Sequence, residues 1–438
     1  MLKSALLNRL AAAAIGWLGI LAVVFVVGCG GSSGPPSAAK AVSNQEKSDG
    51  NAAGLPTASI GHAMAGAPAT SGDSDAAPAA DNAGTPAEPS LPKQGSPEWI
   101  LGQMIVLFGE PLPAGGTPQE QADSLRARNQ KLIEMAHEVI RTTHKDKSQE
   151  PLFNKAVQFL TEARLKLATN GSQEDAKALY DDAQDLYRRD PASVAAADAA
   201  FAVARLTHTN AQLSRSEPRF IQEFAIQSRL FATRFPKDAR AVQLLSAAGQ
   251  TCELYHMDAE AVSCFSLLRE NFVQSPQAVQ ATAVLRRLEI KGKALKLGGE
   301  TREGGFVNIE QFRGKPALVV FWASDSEAFQ AMLPRLQRVL RPYEKSALTV
   351  IGVCLDESEK TMDEFVEKNG LSWTQIFYAD QAKRHWEHPV VQYYGVHDIP
   401  SIWLVNAEGL VEDTHVTPDS LDGQLKYLLA ADGRTTRE

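Results

Sequence analysis

The 438-residue chain has only four cysteines, Cys29, Cys252, Cys264 and Cys354, and no C-x-x-C pair. So few and so scattered, they exclude a disulfide scaffold and a cysteine zinc site. Lysine and arginine occur singly or in short runs under a net charge of -8. A nucleic-acid partner is therefore not expected, because phosphate binding needs clustered positive charge. No glycine-rich phosphate loop and no paired catalytic carboxylates stand out, so no cofactor is expected. Residues 30–95 almost lack large apolar side chains, as in GDSDAAPAADNAGTPAEPS. Nothing there can offset the entropy of ordering, which predicts a flexible Gly/Ser/Ala/Pro-rich tether.

What is present begins with an address label. Lys3 and Arg9 precede an apolar run, Leu10 to Val27, which ends in VVGC. The pattern resembles a bacterial lipoprotein signal over residues 1–29, with Cys29 as the lipidation site. Two or more acyl chains would hold the chain stably on a membrane. The alternative is an uncleaved anchor, since 18 apolar residues nearly span a bilayer. Either reading places the rest in the cell envelope, facing the periplasm or exterior. Gly30 after the cysteine favours, by analogy with lipoprotein sorting, the outer membrane.

Residues 96–293 have helical periodicity. Leu179, Tyr180, Ala183, Leu186 and Tyr187 mark one face, as do Ala261, Cys264, Phe265 and Leu268. Pro191, Pro236 and Pro276 each precede a valine, Val194, Val242 and Val279, spaced near the period of helical hairpins. Gly249, Cys252, Ala261 and Phe265 fall where a tetratricopeptide (TPR) repeat carries Gly, Tyr, Ala and Phe. The expectation is an α-helical, TPR-like domain; an unrelated helical bundle is the alternative. Cys252 and Cys264 fit two packed thiols better than a disulfide.

From 294 to 438 strands and helices alternate. ALKLGGETREGGFVNI predicts a hairpin turning on Gly304 and Gly305, and ALVVFWA a buried strand. A helix from Ser326, a strand in SALTVIGVCLD, a helix over Glu359 to Asn369, one strand in SIWLVNAEGLV and a helix over Leu421 to Leu429 complete an α/β sandwich. The predicted fold class is therefore α + α/β.

Within this part GKPALVVFWAS, VIGVCLDES and YYGVHDIPSIWLVNAEGLV occur in an order that resembles the thioredoxin superfamily, specifically its TlpA/ResA-like branch. That branch consists largely of membrane-tethered thiol–disulfide oxidoreductases. The resemblance implies a thioredoxin-like fold and puts Pro400 on the family's cis-proline, which lines a substrate groove. It implies groove positions at Trp322, Asp325, Ser326, Phe329, Ile399 and Pro400. It also places Ser326 at the attacking cysteine, Phe329 at the resolving cysteine and Met332 at an assisting acid. Exchange needs a thiolate and a second thiol. A serine and a phenylalanine supply neither, so no catalytic residue is expected at those positions. Ser326 instead suits a helix N-cap, and Phe329 packing or part of an apolar groove.

The favoured reading is an envelope lipoprotein, attached through its lipid, that binds a protein or peptide without redox chemistry. The alternative is oxidoreductase or peroxidase activity through Cys354, which on a buried strand reads first as a core thiol. His385, His388, His397 and His415 are too irregularly placed to predict a metal site. Trp373, Trp386, Tyr393 and Tyr394 read as core and edge aromatics.

Overall fold

The computed structural model describes residues 92–111, 115–214, 216–343 and 348–435. The expected signal, Cys29 and the expected tether up to residue 91 lie outside them. Pro92–Glu438 is a single compact unit, and several of its helix starts are written into the sequence as a capping Ser or Thr. Ser96 caps α1 (Pro97–Gly109), and Thr117 with Glu120 forms a capping box on α2 (Pro118–Thr143). α3 (Glu150–Thr169) follows, then α4 (Gln173–Arg189) and α5 (Val194–Leu213), capped by Ser172 and Ser193. α6 (Pro218–Arg234), α7 (Arg240–Leu254), α8 (Asp258–Asn271) and α9 (Pro276–Leu288) complete the helical part.

The periodic residues behave as expected: Leu179, Ala183, Ala261, Cys264, Phe265 and Leu268 are buried. The valines open helices as expected: Val194 and Val279 are 59% and 71% exposed in first turns, while Val242 packs against the core. α7 and α8 approach closely because position 249 has no side chain. A Cβ built on Gly249 would stand 2.6 Å from the Phe265 ring.

The second part holds the hairpin β1 (Gly298–Glu300) and β2 (Phe306–Asn308), turning through Gly304 at φ +80°. In its main sheet the strands Thr374–Ile376, Thr349–Cys354, Ala317–Trp322, Ser401–Val405 and Val411–Asp413 lie side by side in that order. β3 (Ala317–Trp322) is parallel to β4 (Thr349–Cys354), which is parallel to β5 (Thr374–Ile376). β6 (Ser401–Val405) and β7 (Val411–Asp413) are antiparallel neighbours. β3 is apolar throughout because both its faces are covered. Leu318, Val320 and Trp322 pack with α10 (Glu327–Leu340), α11 (Glu359–Asn369) and α13 (Pro418–Thr435). Val319 and Phe321 pack on the other side with Trp403 and α12 (Pro389–Tyr394).

One sequence expectation needs correction. SIWLVNAEGLV is a hairpin and not one strand. The Asn406 side chain accepts from the Glu408 and Leu410 amides, and Gly409 takes φ +86°. The short β5 was not foreseen, since three residues offer too little periodicity. Between the two parts there is no free linker: Gly292 donates to the Val411 carbonyl, and Val411 to that of Lys293.

Candidate functional site

β3 ends at Trp322, and the chain turns through Ala323 to Asp325 into α10. Ser326 is the N-cap: its hydroxyl accepts from the Phe329 amide at 3.2 Å. The cap satisfies one of the amides that a helix start leaves free. Asp325 and Glu327 are exposed beside it, where the helix dipole favours negative charge. The turn is held by the Ser324 amide donating to Asp356 Oδ1 (2.7 Å) and the Gln330 side chain donating to the Ser324 carbonyl (2.6 Å).

Phe329 is 0% exposed and stacks on Trp322, with centroids 5.1 Å apart and planes at 29°. Phe365 covers the pair. Trp322 is also 0% exposed, and its indole N–H donates to Gln375 at 3.0 Å. The expected groove positions therefore divide. Trp322 and Phe329 are core and present no surface, because β3 and α10 close over them. Asp325, Ser326, Ile399 and Pro400 retain exposure. Met332 is half-buried against the same core.

The Ile399–Pro400 peptide bond is cis. Phe321 pairs with Ser401, so this bond lies at the same end of the sheet as the Ser326 turn. A second layer holds the loop from behind. Arg287, at the end of α9, donates to the Tyr394 and Gly395 carbonyls and pairs with Glu253 at 2.5 Å, both side chains being buried. Arg286 donates to the Tyr393 carbonyl and lies over its ring at 3.8 Å. These arginines reach the last carbonyls of α12, where its dipole favours cations. His397 adds a contact to Glu253 at 3.2 Å. The helical part thus grips the segment that leads to Pro400. Neither this grip nor Asp356 emerged from the sequence. Asp356 at least left a trace, an acid straight after an apolar strand, whereas Glu253, Arg287 and Tyr394 are too far apart in sequence to signal contact.

The described cysteines are free and buried. Burial pushes the Cys252 thiol up to about 11 and that of Cys264 to about 12. Cys354 lies well above the ordinary thiol range, by burial first and then by the charge of Asp356. Burial also raises Asp356, whose second carboxylate oxygen has no hydrogen-bond partner.

The histidines do different jobs. His388 caps α12 through Nδ1, which accepts from the Val390 amide at 3.2 Å, and burial lowers its pKa to about 4. His415 meets His256 ring to edge, and His385 meets Trp386. Among the described residues no three His, Cys, Asp or Glu side chains gather as a metal site. Tyr394 and Trp373 are buried, Trp386 is partly so, and Tyr393 is exposed.

The AhpC/TSA family matches residues 290–414. A thiol-disulfide oxidoreductase ResA of Halalkalibacterium halodurans is 24% identical over 116 residues, which is 26% of this chain and 62% of that protein. The ResA of Bacillus thuringiensis (strain Al Hakam) is 22% identical over 129 residues, 29% of this chain and 70% of the relative. Among solved structures, the thioredoxin domain of a thiol-disulfide oxidoreductase from Bacteroides vulgatus is 23% identical, with a TM-score of 0.29, over 32% of this chain and 97% of its own. A thiol-disulfide oxidoreductase from Bacteroides fragilis gives 22% and 0.28, over 31% and 98%. The stretch 290–414 thus matches the AhpC/TSA family, is similar in sequence to the ResA oxidoreductases, and has a thioredoxin-like fold carried on a helix-rich N-terminal part.

Proposed function

We propose that this chain is an envelope lipoprotein whose thioredoxin-fold domain has lost its dithiol and works by binding an extended protein or peptide segment. The observation that carries the reading is the state of the two positions that the resemblance assigns to the dithiol. Ser326 spends its hydroxyl on the Phe329 amide, and the Phe329 ring is sealed beneath Trp322 and Phe365. A capping serine with no adjacent base is a poor nucleophile, and a buried ring has no chemistry to offer. The exposed remainder, Asp325, Ser326, Ile399 and Pro400, is the surface proposed for the bound segment. The TPR-like reading of the helices adds a second surface, since helical repeats present concave faces.

The runner-up is exchange through Cys354, favoured by the names of the relatives. Against it stands the thiol's burial, which disfavours the thiolate that exchange requires. The deciding experiment is reduction of insulin disulfides by the full chain, with thiol titration of the folded protein. The reading expects no turnover and no thiol reaction before unfolding. Turnover that disappears in Cys354→Ala would overturn it in favour of the runner-up.

A further inference from the structure

α1 carries no charged residue from Trp99 to Gly109. Its inner face buries Ile100, Leu101 and Met104, yet Ile105, Val106 and Phe108 remain 56%, 59% and 40% exposed. From Trp99 on α1 is apolar but for Gln103, and such a helix is expected either inside a core or against another apolar phase. Here Ile105 and Val106 lack protein cover, and Phe108 at their edge meets the Phe159 ring at 5.7 Å. Other exposed large apolar residues, such as Leu254 and Phe306, stand apart from one another in sequence.

Cations frame the patch. Lys166 Nζ lies 4.2 Å over the Phe108 ring, and Arg128 donates to the Glu110 carbonyl at the end of α1. Burial holds Lys166 below the usual lysine range. Glu162 draws it up, while Arg128 and Arg205 push it further down. Arg205 is itself paired with Glu162 at 2.8 Å, which leaves Lys166 and Arg128 as the cations beside the ring. α1 is also the first helix of the described unit, and the chain from Cys29 to Pro92 has an extended reach of at most about 220 Å.

We propose that this face of α1 rests on an anionic lipid surface, with Ile105, Val106 and Phe108 in the acyl boundary and Lys166 and Arg128 at the headgroups. The proposal builds on the lipoprotein reading. Size argues for lipid over a protein occupant. Three side chains fall far short of the roughly 800 Å² per partner that a stable dimer buries, so the patch is too weak for a free partner. It suffices for a molecule already tethered, whose second contact is intramolecular.

The test uses the full chain on vesicles of mixed phosphatidylcholine and phosphatidylglycerol with brominated acyl chains. Val106→Cys is labelled with an environment-sensitive fluorophore, and Phe306→Cys serves as the comparison; Cys252, Cys264 and Cys354 are buried. Quenching at position 106 by about twofold or more is expected, with little at 306, and it should weaken in Lys166→Gln/Arg128→Gln and in pure phosphatidylcholine. A chain that pellets with vesicles while the label at 106 stays unquenched overturns the α1 contact and leaves the anchor intact. Concentration-dependent shielding at 106 without vesicles overturns it in favour of a second copy. Recovery of the chain in the supernatant overturns the anchor and this contact together.

Discussion

At the residue scale, charge and burial decide what each candidate can do. His388 shows this most sharply. Its Nδ1 serves as a cap acceptor, so the proton sits on Nε2, which is buried without a partner. Protonating it folded would bury a charge, and the folded pKa falls from 6.5 to about 4. The unfolded state therefore binds the proton first. The stability that neutral His388 supports is full above pH 6.5 and drains away as pH falls towards 4, by about 3 kcal/mol in all. Asp182 acts with the opposite sign: burial pushes its carboxyl up to about 6, so its contribution is lost as pH rises through that value. His388→Asn can keep a cap acceptor while removing the titration. Urea unfolding midpoints between pH 7 and pH 4.5 should fall less steeply in the variant than in the parent. An equal slope in both would sink the assignment. Sequence reasoning recognised Ser326 as a cap but had no such insight into His388, because nothing local says that a histidine near Trp386 will be buried.

At the scale of elements, helix starts and the apolar central strand were legible because their causes are local. Ser, Thr and Pro at the first turn and a continuous apolar run act through neighbours one to four residues away. Packing partners are not local, and Gly249 illustrates the difference. Replacing a helical glycine with alanine ordinarily gains up to about 1 kcal/mol. Here the new methyl would stand 2.6 Å from the Phe265 ring, and overpacking of that kind costs about 1–3 kcal/mol. The cost wins. Gly249→Ala should lower stability, and Phe265→Leu in the same chain should recover part of the loss, as a double-mutant cycle in urea would measure. A stabilised Gly249→Ala would mean that α7 and α8 separate more easily than this contact implies.

At the scale of the whole molecule, the helical and thioredoxin-like parts meet through Arg287, which a buried ion pair inside the helical part holds in place. Glu253 and Arg287 are both sequestered, and Arg287 also serves two carbonyls ahead of the Pro400 loop. Removing one partner of such a pair leaves a buried charge and costs about 3–5 kcal/mol. Glu253→Gln and Arg287→Met should each destabilise the full chain, and the double variant should cost less than the two losses added together, judged by urea unfolding of all three. Strict additivity would show that Glu253 does not hold Arg287 in place beneath the loop. The sequence by itself determined the order of the two parts, the thioredoxin-like fold and the identity of the residues at the end of β3, because periodicity, capping and motif order are properties of neighbouring residues. Only the tertiary structure decided that Trp322 and Phe329 are core, that the Cys354 thiol is sealed, and that α9 grips the loop before Pro400. Burial and pairing across 34 or 107 residues arise when the chain closes on itself, and no local pattern encodes them.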